Sequence, residues 1–118
     1  MSDETPEELR LKDQGRMLEI RYEDGDAYSL TSEFLRVESP SAEVKGHGPG
    51  QEVTVPGKRN VRILKLEPVG NYAVRIVFDD GHSTGLYTWP YLRELGESHD
   101  SRWNDYLTAL EAQGLTRG

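Results

Sequence analysis

Apolar positions in the first part of this 118-residue chain alternate with polar ones. Leu9 and Leu11 are separated by charged residues, and Leu18, Ile20 and Tyr22 alternate with Glu19 and Arg21. A period of two is the signature of a strand with one buried face. The turn Asp13-Gln14-Gly15 separates these two strands, and Tyr28 and Leu30 resume the alternation beyond Glu23-Asp24-Gly25-Asp26.

Parity sets the hairpin register. A two-residue loop at Asp24-Gly25 would put Ala27 and Ser29 on the face of Ile20 and Tyr22 and expel Tyr28 and Leu30. A three-residue loop, Glu23-Asp24-Gly25 with a left-handed glycine, pairs Tyr22 with Asp26, Ile20 with Tyr28 and Leu18 with Leu30. All the apolar side chains then share one side. A slip of one residue would invert every one of them, so the three-residue loop is expected.

The same pattern returns 56 positions later, where Ile76-Val77-Phe78-Asp79-Asp80-Gly81 echoes Ile20-Arg21-Tyr22-Glu23-Asp24-Gly25. Leu86 echoes Leu30 and, after one inserted residue, Tyr91-Leu92-Arg93 echoes Phe34-Leu35-Arg36. Such a repeat argues for one domain made of two similar units. Transferring the register pairs Phe78 with His82, Ile76 with Thr84 and Val74 with Leu86. His82 is thereby placed at the tip of the inner face, beside an aromatic ring.

Each hairpin leads into a helix signal. Thr31-Ser32 can cap a turn carrying Phe34 and Leu35, and Thr88 can cap Trp89-Pro90-Tyr91-Leu92, with Gly96 ending that helix. Val61 to Leu66 reads as a further strand, turning at Val69-Gly70-Asn71-Tyr72. Near the carboxyl end, Asp100 or Ser101 can cap a helix whose Trp103, Tyr106, Leu107 and Leu110 form one apolar stripe, closed by Gly114. Core packing accounts for its two aromatic residues more simply than a ligand box does. The expected fold is α+β: two ββα-type repeats form a mainly antiparallel sheet with helices packed on one face, plus a C-terminal helix. Residues 1–7 read as a disordered acidic tail and 8–118 as a single domain.

Composition narrows the function. With 35% hydrophobic and 30% charged residues and no long apolar run, the chain reads as globular, non-membrane and cytoplasmic, without a secretory signal. The absence of cysteine removes disulfides, thiolate catalysis and cysteine-ligated metal centres. A net charge of −7 argues against nucleic acid, and the basic cluster Lys58-Arg59, Arg62 and Lys65 reads as a solvated strand and turn edge.

Between the repeats, from Val37 to Arg59, the periodicity is lost. Gly46, Gly48 and Gly50 flank His47 and precede Gln51, permitting close approach of the backbone to a partner or ligand. Gly57-Lys58-Arg59 lacks the Ser or Thr of a phosphate loop, and Pro49 stands where a dinucleotide-binding helix would begin. His47, His82 and His99 could ligate a metal with Glu43, Glu52, Asp79 or Asp80, although no pair has a tight ligand spacing. Ser39, Ser41 and Ser83 lack the context of a nucleophile elbow.

Leu35-Arg36-Val37, Ser39-Pro40-Ser41-Ala42-Glu43-Val44, Gly46-His47-Gly48-Pro49-Gly50-Gln51, Glu67-Pro68-Val69-Gly70-Asn71-Tyr72-Ala73 and Asp80-Gly81-His82-Ser83-Thr84-Gly85 form one ordered set. Through it the chain resembles the gamma-butyrobetaine-hydroxylase-like amino-terminal domain family, from Leu9 to Leu95. In bacteria that family occurs as small stand-alone proteins of uncharacterised role. In the iron- and 2-oxoglutarate-dependent hydroxylases the domain is an appendage that carries zinc on three cysteines and one histidine. The resemblance sets those cysteines at Ser39, Ser41 and Val44 and the histidine at His82, which implies that the zinc site is lost here. No 2-oxoglutarate-binding domain follows, so hydroxylase activity is not implied. In plants the family domain is fused to an Mrp-type ATPase that handles iron–sulfur clusters, which implies an accessory role in that pathway.

Three readings result. The first is a non-enzymatic module that binds a protein partner, suspected from the resemblance to be an iron–sulfur assembly ATPase. It would use Gly46, His47, Gly48, Gly50 and Gln51 with His82, Tyr87 and Trp89, any iron or cluster residing on the partner. The second is a metal-binding protein with His47 and His82 as ligands beside carboxylates or a partner's cysteines. The third is a small enzyme acting at the glycine-rich loop. Oligomeric state is left open.

Overall fold

The computed structural model describes residues 5–45 and 53–118, with the main chain alone at 42 and 43. Two three-stranded antiparallel sheets carry the fold. The first holds β1 (Glu8–Lys12), β2 (Met17–Arg21) and β3 (Ala27–Thr31) in that order; the second holds β4 (Ile63–Val69), β5 (Ala73–Phe78) and β6 (Leu86–Thr88). Helix α1 (Ser32–Val37) follows the first sheet, and α3 (Trp89–Glu97) and α4 (His99–Ala112) follow the second, with the single turn α2 (Ala42–Lys45) between. The architecture is α+β with duplicated antiparallel hairpins, as expected, but the strands divide into two sheets rather than one. The two further strands read from the sequence are present, β1 beside the first hairpin and β4, Ile63–Val69 rather than Val61 to Leu66, beside the second.

The first hairpin has the register that parity demands: Ile20 faces Tyr28 and Leu18 faces Leu30. Tyr22 N–H donates to Asp26 O at 2.9 Å, closing a three-residue loop with Gly25 at φ 95°. A side chain at that φ would be strained, which is why glycine stands there. Upstream, Glu7 N–H donates to Arg21 O, so pairing with β2 begins one residue before β1.

The second hairpin starts identically, with Phe78 N–H donating to His82 O at 3.0 Å and Gly81 at φ 91°. It then departs from expectation. Val74 faces Tyr87 and Arg75 faces Leu86, so one extra residue has been absorbed between His82 and Leu86. That residue reverses the parity of the returning arm. Tyr87 is 0% exposed while Leu86 is 40% exposed, so Tyr87, not Leu86, is the counterpart of Leu30. The single insertion in the repeat therefore precedes Leu86.

Helix starts follow the threonine signals. Thr31 Oγ1 accepts from Phe34 N and Thr88 Oγ1 from Tyr91 N, each satisfying an orphan amide of the first turn. Other boundaries shift. Gly96 lies inside α3 rather than ending it, and Ser98, not Asp100 or Ser101, precedes α4. Of the α4 stripe, Tyr106 and Leu110 are buried and Trp103 is half-buried, but Leu107 is 37% exposed. Gly114, at φ 69°, takes the left-handed position beyond α4.

One core spans both repeats. Leu18, Ile20 and Leu30 from the first sheet meet Val74, Ile76, Phe78 and Tyr87 from the second, with Phe34 and Leu35 of α1 and Leu92 and Leu95 of α3. Val37, Tyr106 and Leu110 form a smaller cluster under α4.

Candidate functional site

Arg36 is the last cationic residue of α1, and its helix ends where the returning arm of the second hairpin arrives. The carbonyls at a helix end have no partner within the helix. Here tyrosines from the second repeat supply them: Tyr87 Oη donates to Leu35 O at 2.5 Å and Tyr91 Oη to Glu38 O at 2.6 Å. Burial pushes the Tyr87 phenol far up from its usual range, so it stays a neutral donor.

Directly after α1, the chain turns through Ser39-Pro40-Ser41 against His82. Ser39 Oγ lies 2.8 Å from His82 Nε2, and Ser41 Oγ lies 3.4 Å from the same nitrogen. Ser39 is 0% exposed and His82 is 5% exposed. The imidazole sits beside Phe78, ring centroids 6.1 Å apart. Gly85 is pressed onto this cluster: a Cβ there would stand 2.4 Å from Ser39 Oγ. The extra residue of the second hairpin lies in the same stretch as Gly85, so the insertion and the polar cluster coincide.

Asp80 ties the cluster to its surroundings. Its Oδ1 accepts from His82 N at 3.0 Å, and its Oδ2 accepts from Arg36 Nε at 2.8 Å and from Lys58 Nζ at 2.7 Å. Partial burial alone would raise this carboxyl, but the hydrogen bonds from Lys58, the His82 amide and Arg36 outweigh it and hold its pKa at about 2.

The residues singled out in the sequence fare differently. His82 reaches the inner tip beside Phe78, as the register argument expects. Tyr87 is a core residue and is not available as a docking surface, because the added residue turned it inward. Trp89 is half-buried, its indole N–H donating to Asn71 O at 2.8 Å. Gly46, His47, Gly48, Gly50 and Gln51 lie outside the described residues. His99 meets Phe34 edge to face, ring centroids 4.6 Å apart, and contacts Asp100 rather than the His82 cluster. Sequence reasoning passed over Arg36 and Lys58 as partners of Asp80; the repeat held the signal, since Arg36 and Asp80 are both echoed, by Arg93 and Asp24.

Among the described residues no group of three His, Cys, Asp or Glu side chains could hold a metal ion. The donor chemistry explains why the family zinc does not fit. Ser39 and Ser41 offer neutral hydroxyls, Val44 offers none, and all three are buried. Zinc ligands in a tetrahedral site stand ~3.5 Å apart around the ion. Ser39 Oγ and His82 Nε2, at 2.8 Å, instead bond to each other. A hydroxyl at this distance from an imidazole also has the geometry of an activated nucleophile, but complete burial withholds it from a substrate.

A separate cavity of about 250 Å³ lies between α4 and the segment after α1, lined by Val37, Val44, Val53 and Tyr106 together with Glu38 and Arg102. No helix among the described residues is long and apolar enough to cross a membrane.

The model of the family "Gamma-butyrobetaine hydroxylase-like, N-terminal" matches residues 9–93 of the chain. Two NMR solution structures are each of a chain 47% identical to this one. One has a TM-score of 0.82 over 95% of this chain and 88% of its own; the other has 0.81 over 99% and 90%. A crystal structure of a protein of unknown function from Acidithiobacillus ferrooxidans, of the DUF971 family, is 41% identical, with a TM-score of 0.66 over 80% of this chain and 98% of its own. No curated protein matches the chain.

Proposed function

The chain belongs to the gamma-butyrobetaine hydroxylase-like, N-terminal family, and we propose that it acts as a non-enzymatic interaction module, docking in the cytoplasm on a protein of iron–sulfur or iron-dependent metabolism. The observation that carries this reading is the hydrogen bond between Ser39 and His82, sealed inside the core. The one histidine that the resemblance retains is committed to holding the end of α1 against the second hairpin. At this position the chain has a latch where relatives of the hydroxylase type have a metal.

A latch of that kind keeps the segment following α1 at a fixed angle to the rest of the fold. Val44 O accepts from Val53 N at 2.7 Å, which joins the segment after α1 to the chain that leads to β4. A segment held rigidly against the body of a fold is a common recognition device. The plant fusion to an Mrp-type ATPase supplies the partner class.

The test uses the full chain and a purified Mrp-type iron–sulfur assembly ATPase, mixed and followed by sedimentation velocity. A stoichiometric complex supports the proposal. No complex at concentrations up to about 100 μM, a range that detects even weak transient pairs, removes this partner. Metals are measured in the same anaerobically purified sample: a stoichiometric iron or zinc content on the isolated chain would replace the reading with a metal-binding one.

A further inference from the structure

The two repeats face each other through matching junctions whose charges are opposite. At one, Arg93 of α3 reaches the tip of the first hairpin, pairing with Asp24 at 3.1 Å and with Asp26, while Glu97 stands 3.6 Å away. Carboxylates outnumber the cation there. At the other, Arg36 and Lys58 converge on Asp80 alone, because the counterpart of Asp26 is the histidine His82. Cations outnumber the carboxylate.

Lys58, Arg59 and Arg62 follow closely along the chain into β4, with Asp79 the carboxylate beside Arg62. Arg62 N–H donates to Asp79 Oδ1, and Asp79 N–H donates to Arg62 O, which fixes Arg62 beside the same hairpin tip. Among the described residues no carboxylate lies within ion-pair distance of the Arg59 or Arg62 guanidinium. Among the described residues Arg36 Nη1 is buried and has no hydrogen-bond partner. A buried guanidinium nitrogen without a partner is costly.

We infer that the basic face formed by Lys58, Arg59 and Arg62 around the Arg36–Asp80 pair is the docking point for an acidic segment of a protein partner. This rests on the reading of the chain as an interaction module and names the chemistry of what it binds. Guanidinium forks match carboxylates in geometry as well as charge. The net charge of −7 selects among anions. It repels an extended polyphosphate over many ångströms, whereas a short run of carboxylates meets mainly the local field.

Isotope-labelled full-length protein is titrated with a synthetic hexapeptide of Asp and Glu, with a charge-matched single-stranded oligonucleotide and a Lys hexapeptide alongside. The expected result is a set of NMR shifts at Lys58, Arg59, Arg62 and the Arg36 Nε–H, with the acidic peptide alone. Arg59→Glu combined with Arg62→Glu should weaken its binding at least ~10-fold. Neither guanidinium is held in an ion pair among the described residues, and Lys58→Gln serves as an independent second variant. Shifts elsewhere, undiminished binding by the double variant, or tighter binding of the oligonucleotide would overturn the proposal. Undiminished ATPase binding by the double variant would overturn this face alone and leave the interaction reading standing. A wild-type chain that binds the acidic peptide at this face but no ATPase would support the face and remove the ATPase.

Discussion

Arg36 and Arg93 occupy equivalent places in the two repeats, and each reaches across to the hairpin tip of the other. Arg36 Nε lies 2.8 Å from Asp80 Oδ2 of the second hairpin, and Arg93 Nη2 lies 3.1 Å from Asp24 Oδ2 of the first. The duplicated units are thereby cross-braced, beyond the apolar core they share. The guanidinium of Arg93 also covers the Tyr22 ring, 4.3 Å from its centroid. The packing below the braces is exchanged as well. Tyr28 of the first hairpin lies on Gly96 of α3, whereas Gly85 of the second hairpin lies on Ser39 beyond α1. One junction is filled by an aromatic ring over a glycine, the other by a serine and histidine over a glycine.

The Asp80 brace makes stability depend on pH in a defined window. Its carboxyl titrates at about 2 in the folded chain, below the ordinary value of 3.8 that the unfolded chain has. A folded value below the unfolded one means stability that is fully present above about pH 4 and is lost as pH falls through about 2. The shift corresponds to at most about 2 kcal/mol, and solvent screening of a partly exposed group brings the expected contribution nearer ~1 kcal/mol. Urea unfolding of Asp80→Asn should show that loss at pH 7, with a shallower decline than wild type between pH 4 and 2. Parallel curves would show that the brace carries no net energy.

Ser39→Ala removes the close partner of His82 Nε2 and leaves Ser41 at 3.4 Å. A buried polar atom deprived of its better hydrogen bond costs ~1–3 kcal/mol. The urea midpoint should fall accordingly with the slope unchanged. An unchanged midpoint would mean that the latch is dispensable for the fold.

Gly96→Ala separates local preference from packing. Alanine favours a helix over glycine by ~1 kcal/mol, so α3 considered alone predicts stabilisation. The added Cβ would lie 2.5 Å from Tyr28 Cγ, an atom at the root of the ring that cannot swing aside. Destabilisation of ~1–3 kcal/mol is expected. Combining it with Tyr28→Ala, which removes Cγ, should cost less than the separate effects together, and strict additivity in that cycle would contradict the contact.

Tyr87→Phe should cost more than Tyr91→Phe, although each removes one hydroxyl from a carbonyl at the end of α1. The Leu35 carbonyl and Tyr87 are fully enclosed, so loss of the donor leaves an acceptor stranded, at ~1–2 kcal/mol. Tyr91 is only partly buried, and water can replace its hydroxyl at Glu38 O. Thermal midpoints of the two variants, compared at equal pH, test the order.

The first hairpin was legible because Leu18, Ile20, Tyr22, Tyr28 and Leu30 leave only one register with all apolar side chains inward. The second was not. Leu86 and Tyr87 are adjacent and both apolar, so parity accepts either one, and the extra residue can be set before or after them. What decides between them is that Gly85 must lie against Ser39, a contact between distant parts of the chain that no local pattern carries. The same limit applies to Gly96, which stands inside a helix because the Tyr28 ring fills the space a Cβ would take. His82 could be placed by register alone. Its partners Ser39 and Ser41 came from resemblance, and the braces of Arg36 and Arg93 were present in the repeat but unreadable without knowing that the units face each other.

Metal dependence gives a sharp test of how this chain departs from its cysteine-bearing relatives. Zinc is held by thiolates, imidazoles or carboxylates, and the hydroxyls of Ser39 and Ser41 do not lose their protons to the ion at neutral pH. A chelator should therefore leave the thermal midpoint of the wild-type chain where it was, and equimolar zinc should not raise it. Both hydroxyls lie within 3.4 Å of His82 Nε2, so thiolates at these positions would face the imidazole. The triple variant Ser39→Cys, Ser41→Cys, Val44→Cys should accordingly gain a zinc-dependent rise in midpoint, reversed by chelator, with His82→Ala abolishing the gain. A wild-type midpoint that falls on chelation would instead require ligands outside this cluster, with His47 the first to substitute. A triple variant indifferent to zinc would mean that the latch and the metal site of the relatives do not share one geometry.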